Sequence, residues 1–267
     1  MAPFDSLAVW PVESVAAAVV RHGDEPRRHG DTAQPFHLAS VTKLLTALAA
    51  LVAHEEGTLP IDEPITAGGA SAADLLAHAA GIAPDEPTQM TAPHTRRIYS
   101  TAAYDILADH ITQRAGMAFT DYLTEAIVTP LGLVATTLDG SAGAGAISSV
   151  DDLLRIATAW TSPLLVDETT LQRAVRAHHP TLAGVLPGFG RQDPNPWGLG
   201  PEIKGAKQPH WTSADNSPQT FGHFGQSGTM LWIDPVAGIT AVALATQPFG
   251  EWAAIAWPVF STDALQT

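Results

Sequence analysis

The sequence contains no cysteine. That absence removes disulfide bonds, thiolate catalysis and cysteine-based zinc sites from consideration. Lysine is almost as scarce, occurring only as Lys43, Lys204 and Lys207. The 13 basic residues face 27 acidic ones, a net charge of −14 that disfavours non-specific binding to nucleic acid or anionic lipid. No uncharged apolar run reaches transmembrane length, so no membrane association is expected. The N-terminus, "MAPFDSLAVWPVESVAAAVV", lacks a basic leader region, and Asp5 and Glu13 interrupt its apolar run. It does not read as a secretory signal, and a cytoplasmic protein is expected. Neither internal repeats nor a low-complexity linker is visible.

What is present is apolar. Hydrophobic residues make up 45% of the 267 positions, enough to bury a core in one large domain or two modest ones. The segment "VESVAAAVVRHGDEPRRHGD" reads as a strand, a Gly/Asp/Pro turn and a short second strand. After it, Val41, Leu44, Leu45, Leu48, Leu51 and Val52 recur at helical spacing, and Gly57 closes the helix. The middle of the chain reads as mostly helical. "SAADLLAHAAG" opens on Ser71 as an N-cap and ends at Gly81. "TAAYDILADHITQRAG" puts Tyr104, Leu107, Ala108 and Ile111 on one face and stops at Gly116. "AFTDYLTEAIVTPLGL" is a helix broken by Pro130, and Ser149 stands three residues before Asp152 in a capping-box-like start. From Thr181 onward Gly and Pro mark turns around short strands. "GTMLWIDPVAGITAVALAT" is a hairpin, and a last helix sets Trp252, Ile255, Ala256 and Val259 on one face. The order predicts an α+β fold. Residues 1–36 and 184–267 share one antiparallel sheet flanked by helices, and the helical region 37–183 is inserted between them.

Three segments carry candidate chemistry. Ser40 and Lys43 stand at i and i+3, on one face of a helix. A serine at a helix's first turn lies near unpaired backbone N–H groups and the positive dipole end. A lysine one turn on takes the serine's proton if burial lowers its pKa, each unit costing about 1.4 kcal/mol. Read alone, the pair is better taken as an N-cap beside a snorkelling surface lysine. In "RRIYSTAAYDIL", Tyr99 precedes a helix with Ser100 and Thr101 at its start; alone, it is a half-buried aromatic beside an N-cap. In "TFGHFGQSGTMLWIDP", His223 and Gly225 open a strand, where glycine lets backbone approach a ligand and the Gln226 N–H is placed as an oxyanion donor. Alone, this segment is also a bulge followed by a strand.

In this order, S-x-x-K, Y-x-x and H-x-G resemble the serine β-lactamase and penicillin-binding protein superfamily, most of all the class C-like β-lactamase-related serine hydrolases and esterases. The resemblance covers nearly the whole chain. "DLLAHAAGI" is similar to the family's "LLTHTSGL", "PLGLVATT" to "PLGMxxT", and "GAISSVDDLLRI" to "GGLxSTAxDLARF". It implies a β-lactamase/transpeptidase-like fold with the active site between the sheet and the helical region. Ser40 would be the acylated nucleophile and Lys43 would share or relay its proton. Tyr99 would act with Lys43 as base in acylation and as acid toward the leaving group. The N–H groups of Ser40 and Gln226 would form the oxyanion hole. Thr101, His223 and Gly225 would border the substrate, with His223 where many relatives carry the lysine of K-T-G. Trp211, close before this motif, reads first as a packing residue and second as a residue lining the acyl pocket. Lys43, Tyr99 and His223 are expected to form a cationic cluster favouring tyrosinate. No cofactor or metal is implied.

Two departures matter. The family's Y-x-N asparagine is Thr101 here, which replaces an amide donor and acceptor by one hydroxyl and a methyl. The chain is also short for the class C-like enzymes, which predicts a more open site. The expected function is a serine hydrolase acting through an acyl-enzyme on small esters or amides, carboxylesterase-like, with weak or absent β-lactamase activity. The alternatives are a non-catalytic binding protein of the same fold and a β-lactamase or D,D-peptidase. The expected partner is a small-molecule ester, amide or β-lactam-like substrate. His178 and His179 are adjacent, but no H-x-x-x-H or H-x-x-E-H spacing occurs, so a metal site is not expected. The glycine-rich "DGSAGAGAISS" lacks a phosphate loop's lysine and is predicted to be a turn before the Ser149 helix. Trp197, Trp232, Trp252 and Trp257 are expected in the core.

Overall fold

The alanines and valines of "VAAAVVR" form β1 (Val15–Arg21), which turns back into β2 (Arg27–His29) with Ala17 opposite His29. The computed structural model describes residues 3–267. The short strand β3 (Phe36–His37) leads through a 3-10 turn, Ala39–Val41, into α1 (Thr42–Glu55). The helical region continues with α2 (Ala72–Leu76), α3 (Ala102–Ala115) and α4 (Phe119–Leu123), the last running into a π turn at Thr124–Val128. Strand β5 (Ala146–Ser148) lies between β3 and β4 (Thr137–Leu138) and pairs with both. Helices α5 (Val150–Thr161) and α6 (Glu168–Ala174) follow, then the two-stranded ribbon of β6 (Gly184–Leu186) and β7 (Gly190–Gln192). The chain closes with β8 (Glu202–Ile203), β9 (Phe221–Gly225), β10 (Thr229–Asp234), β11 (Ile239–Ala245) and α7 (Glu251–Leu265).

The main sheet is antiparallel with order β2-β1-β11-β10-β9-β8, so strands from both ends of the chain pair, Val15 lying opposite Ala245. Its inner strands are buried on both faces because alternate residues enter two cores, while the edge strand β2 is exposed. Ala16, Ala18, Leu231, Ile233, Val242 and Leu244 join the core built around α1 and α5. Ala17, Val19, Met230, Trp232, Ala241 and Ala243 join a second core with Trp257 and Phe260 of α7. This is the expected α+β arrangement. Among the described residues no helix is long and apolar enough to cross a membrane.

Every residue of α1 from Thr42 to Ala53 is buried, Lys43 included, so this helix runs through the middle of the molecule. The face assigned to α3 is buried as read, and Gly116 ends the helix at φ +72°. Three readings change. The Ser71 capping box forms in full with Asp74, but α2 stops at Leu76, well before Gly81, because the chain turns into the left-handed region at His78 (φ +56°). At Ser149 only half of a box forms. The serine accepts the Asp152 N–H, while the Asp152 carboxylate accepts instead from Val134 N, Ala135 N and Thr136 Oγ1. In α7 the buried side is Ala253, Trp257, Phe260 and Ala264; Ile255 and Val259 are exposed and Trp252 is only half-buried. That helix is apolar nearly all round, so spacing alone does not select its inner face.

Candidate active site

Ser40 is placed by the contact between two segments far apart in sequence. Between β3 and α1 the chain turns through Ala39, at φ +44°, and Ser40 follows in the 3-10 turn, with Lys43 in the first turn of α1. The end of β9 docks on this turn, where Thr229 Oγ1 donates to Leu38 O at 2.8 Å. Gly225 makes the approach possible. A Cβ there would overlap the Leu38 carbonyl oxygen and come within 2.5 Å of Thr229 Oγ1. The docking brings Gln226 to the wall of the cavity that holds Ser40. Among the described residues, neither the Ser40 N–H nor the Gln226 N–H makes a hydrogen bond, so two donors stand unengaged there.

Lys43 is wholly buried. Its Nζ lies 2.8 Å from Gly143 O, 3.2 Å from Thr101 Oγ1 and 3.4 Å from Ser40 Oγ. Burial lowers its pKa from 10.5 to about 7, with Asp105 and Asp85 pulling it partly back. A neutral amine so placed spends its two N–H bonds on Gly143 and Thr101 and turns its lone pair toward the Ser40 hydroxyl. Tyr99 lines the same cavity as Ser40, and burial pushes the pKa of its phenol well up, with Ser40 pulling it partly back. The Nζ of Lys43 stands 4.9 Å from the Tyr99 ring centroid.

The remaining assigned positions fall as follows. His223 Nδ1 lies 2.7 Å from Phe224 O. A carbonyl only accepts, so Nδ1 carries the proton and Nε2 presents a lone pair, buried and unpartnered. Burial lowers the His223 pKa to about 3, helped by the nearby Lys43 charge. The expected cationic cluster is therefore not there. Desolvation keeps His223 and Tyr99 neutral and Lys43 half-protonated near neutrality. Thr101 meets the Lys43 amine through its hydroxyl, with its methyl close beside Gly143. Trp211 does not line the cavity. It is buried behind Phe224, ring centroids 5.7 Å apart, and its indole N–H donates to the Glu202 carboxylate.

The indole at the cavity is Trp197, 5.6 Å from the Tyr99 ring and 5.4 Å from that of His223. The sequence predicts Trp197 to be a core residue, and only the fold shows which tryptophan faces the serine. Glu202 also reaches the cavity wall and was missed. Burial works against its charge. Lys207 and His210 outweigh that, with hydrogen bonds from both, and hold the carboxyl well below the usual range. His78 was missed too. Its Nδ1 accepts the Ser100 N–H at 3.2 Å, and its ring packs 4.5 Å from Tyr99, steadying the phenol. The site is not open, contrary to the expectation from chain length. Leu186 and Pro187 of the β6–β7 ribbon help to line it, and the cavity holds about 30 Å³, room for roughly two water-sized groups. A larger surface cleft of about 830 Å³, lined in part by Trp160, Leu171 and Phe221, contains none of these groups.

Residues 11–265 match the family described as Beta-lactamase. The chain belongs to the Beta-lactamase family. It is similar to the crystal structure of a beta-lactamase (Mb2281c) from Mycobacterium bovis, at 45% identity over 99% of this chain and 98% of that one, with a TM-score of 0.97. Simvastatin synthase (LovD) from Aspergillus terreus, as its LovD9 mutant, shares the fold at 16% identity and a TM-score of 0.81, over 98% of this chain and 96% of that one. So does EstCE1, a hydrolase with promiscuous acyltransferase activity, at 19% identity and a TM-score of 0.77, over 98% and 96%. No curated protein matches the chain.

Proposed function

We propose that this chain is a serine hydrolase that forms an acyl-enzyme on Ser40 and turns over small uncharged esters, with weak or no β-lactamase activity. The observation that carries the reading is the Ser40 hydroxyl 3.4 Å from a fully buried amine whose pKa is about 7, beside two unengaged N–H groups. Neutral Lys43 takes the Ser40 proton as Oγ attacks the ester carbonyl. The carbonyl oxygen, now negative, lies against the N–H groups of Ser40 and Gln226, each such donor contributing about 3–4 kcal/mol in acyl transfer. The C–O bond to the alcohol then breaks, and the leaving oxygen takes the Tyr99 proton. The Lys43 ammonium returns a proton to Tyr99. Water attacks the acyl group by the same route in reverse, and the acid leaves.

The cavity points to the substrate class. Among the described residues no Lys or Arg lines it, and Glu202 puts a negative charge in its wall. A substrate carboxylate, such as a β-lactam carries, finds no counter-ion there. The space suits a short acyl group. A β-lactamase reading has one observation in its favour, the 45% identity to the Mycobacterium bovis protein described as a beta-lactamase.

Intact mass after incubation with p-nitrophenyl acetate, p-nitrophenyl butyrate and a labelled penicillin decides between them. The expected result is an acyl adduct from the esters and little from penicillin, lost in Ser40→Ala along with at least about 10³-fold of turnover. An adduct from penicillin alone favours the β-lactamase. No adduct from any of the three, with no ester turnover, leaves the non-catalytic binding protein.

A further inference from the structure

Outside the Ser40 cavity, three histidines from two separate stretches of chain converge on one carboxylate oxygen. Asp74 Oδ1 lies 2.8 Å from His94 Nε2, 2.9 Å from His179 Nε2 and 3.3 Å from His178 Nε2. The ligand atoms of Asp74, His178 and His179 all lie within 4.8 Å of one another. One carboxylate oxygen offers two lone pairs, so three imidazole N–H donors exceed what it satisfies as a plain hydrogen-bond acceptor. The other oxygen, Oδ2, is already held by the backbone N–H and hydroxyl of Ser71, each at 2.9 Å. The histidines are fixed from behind as well. Arg97 donates to the carbonyls of His178 and His179 at 2.8 and 2.9 Å, and the His94 N–H donates to Ala79 O at 2.8 Å. The Asp74 side chain is 6% exposed while those of His94, His178 and His179 are 48%, 23% and 32% exposed, so the cluster has a buried anchor and an open mouth.

We propose that Asp74, His178 and His179 bind a single divalent transition metal ion, zinc fitting the donor set best, with solvent in the fourth position. Zinc sits about 2.0–2.2 Å from imidazole nitrogen and carboxylate oxygen, which in a tetrahedron separates ligand atoms by about 3.3 Å. The oxygen-to-nitrogen distances of 2.9 and 3.3 Å lie close to that edge. An ion there replaces two of the crowded N–H contacts by three bonds and leaves one lone pair of Asp74 Oδ1 to His94, and the hydrogen bonds from Ser71 to Oδ2 orient the carboxylate. Two imidazoles and one carboxylate suit zinc better than calcium or magnesium, which take oxygen ligands. None of the three residues lines the Ser40 cavity, so the ion is a structural staple. It ties α2 to the segment of His178 and His179, which Arg97 joins to the stretch before Tyr99, where the Arg97 N–H donates to Ala183 O and the Ile98 N–H donates to His78 O.

The test uses the full chain without an affinity tag, stripped with a chelator and titrated with zinc by calorimetry and with cobalt by visible absorption. One equivalent of zinc, the intense visible bands of four-coordinate cobalt and a raised thermal midpoint with zinc are expected. The His178→Ala/His179→Ala variant keeps the capping box at Asp74. It is expected to melt cooperatively without metal, to bind zinc at least about 100-fold more weakly and to lose the thermal shift. No one-to-one binding in the parent chain, or equal zinc affinity in the variant, overturns the proposal.

Discussion

Lys43 stands with its nitrogen out of water, and desolvation sets both its chemistry and its cost. Its neutral form is the proton acceptor, so kcat/KM for an uncharged ester should climb as pH rises through about 7 and level off above. A flat profile between about pH 5.5 and 8.5 contradicts the assignment of Lys43 as base. Stability follows the opposite bookkeeping of protons. The unfolded lysine keeps its pKa of 10.5 while the folded one has about 7, so the unfolded state binds more protons between those values and stability rises with pH across that window. Lys43→Met removes the effect. Its gain in melting temperature over the parent should be largest at or below pH 7 and shrink toward pH 10, the full shift corresponding to roughly 5 kcal/mol. Thr101 was identifiable by its place two residues after Tyr99, but its hydrogen bond to Lys43 was not. Thr101→Asn should raise amide and β-lactam turnover relative to ester turnover by about tenfold, the worth of one added hydrogen bond. Paired kcat/KM measurements with nitrocefin and p-nitrophenyl acetate check it, and an unchanged or lower ratio counts against the argument.

Among the elements, the docking of β9 on the turn before α1 decides whether the site exists. Gly225→Ala forces the Leu38 carbonyl, the Thr229 hydroxyl or the end of β9 to move, since the new methyl overlaps one and crowds the other. Displacing the Gln226 donor should lower kcat by about 10²–10³-fold. The overpacked contact should cost a further 1–3 kcal/mol of stability, or roughly that order. Steady-state kinetics and thermal melting measure the two effects, and a variant with parental kcat removes Gln226 from the oxyanion hole. The same scale shows what periodicity does and does not carry. In α1 the apolar stripe and Gly57 delimit the helix, because the local pattern and the tertiary contacts agree. In α7 the apolar residues surround the axis, and Trp257 and Phe260 face inward only because the sheet's Trp232 and Met230 meet them there.

For the whole molecule, the pairing of β1 with β11 makes the two ends of the chain one structural unit. Removing residues 239–267 leaves β1 and β10 each without its shared neighbour and empties the second core of Trp257 and Phe260. The truncated chain is expected to lose its cooperative thermal transition together with labelling of Ser40, although Ser40 lies far from the deletion in sequence. Circular dichroism melting and probe labelling check this; a cooperatively folded, labelled fragment contradicts it.

The amino-acid order alone determined the helices with clear stripes and the caps at Ser71 and Ser149, which are local signals written in spacing and residue type. It singled out Ser40, Lys43, Tyr99, Thr101, His223 and Gln226 only through the order of three motifs along the chain and the resemblance that this order carries. Tertiary structure decided that His223 and Tyr99 stay neutral, that Trp197 and Glu202 rather than Trp211 meet the cavity, that the site is narrow, and that His94, His178 and His179 meet at Asp74. Each of these depends on which residues remove water from which others, and that is set by contacts across the fold and not by neighbours along the chain.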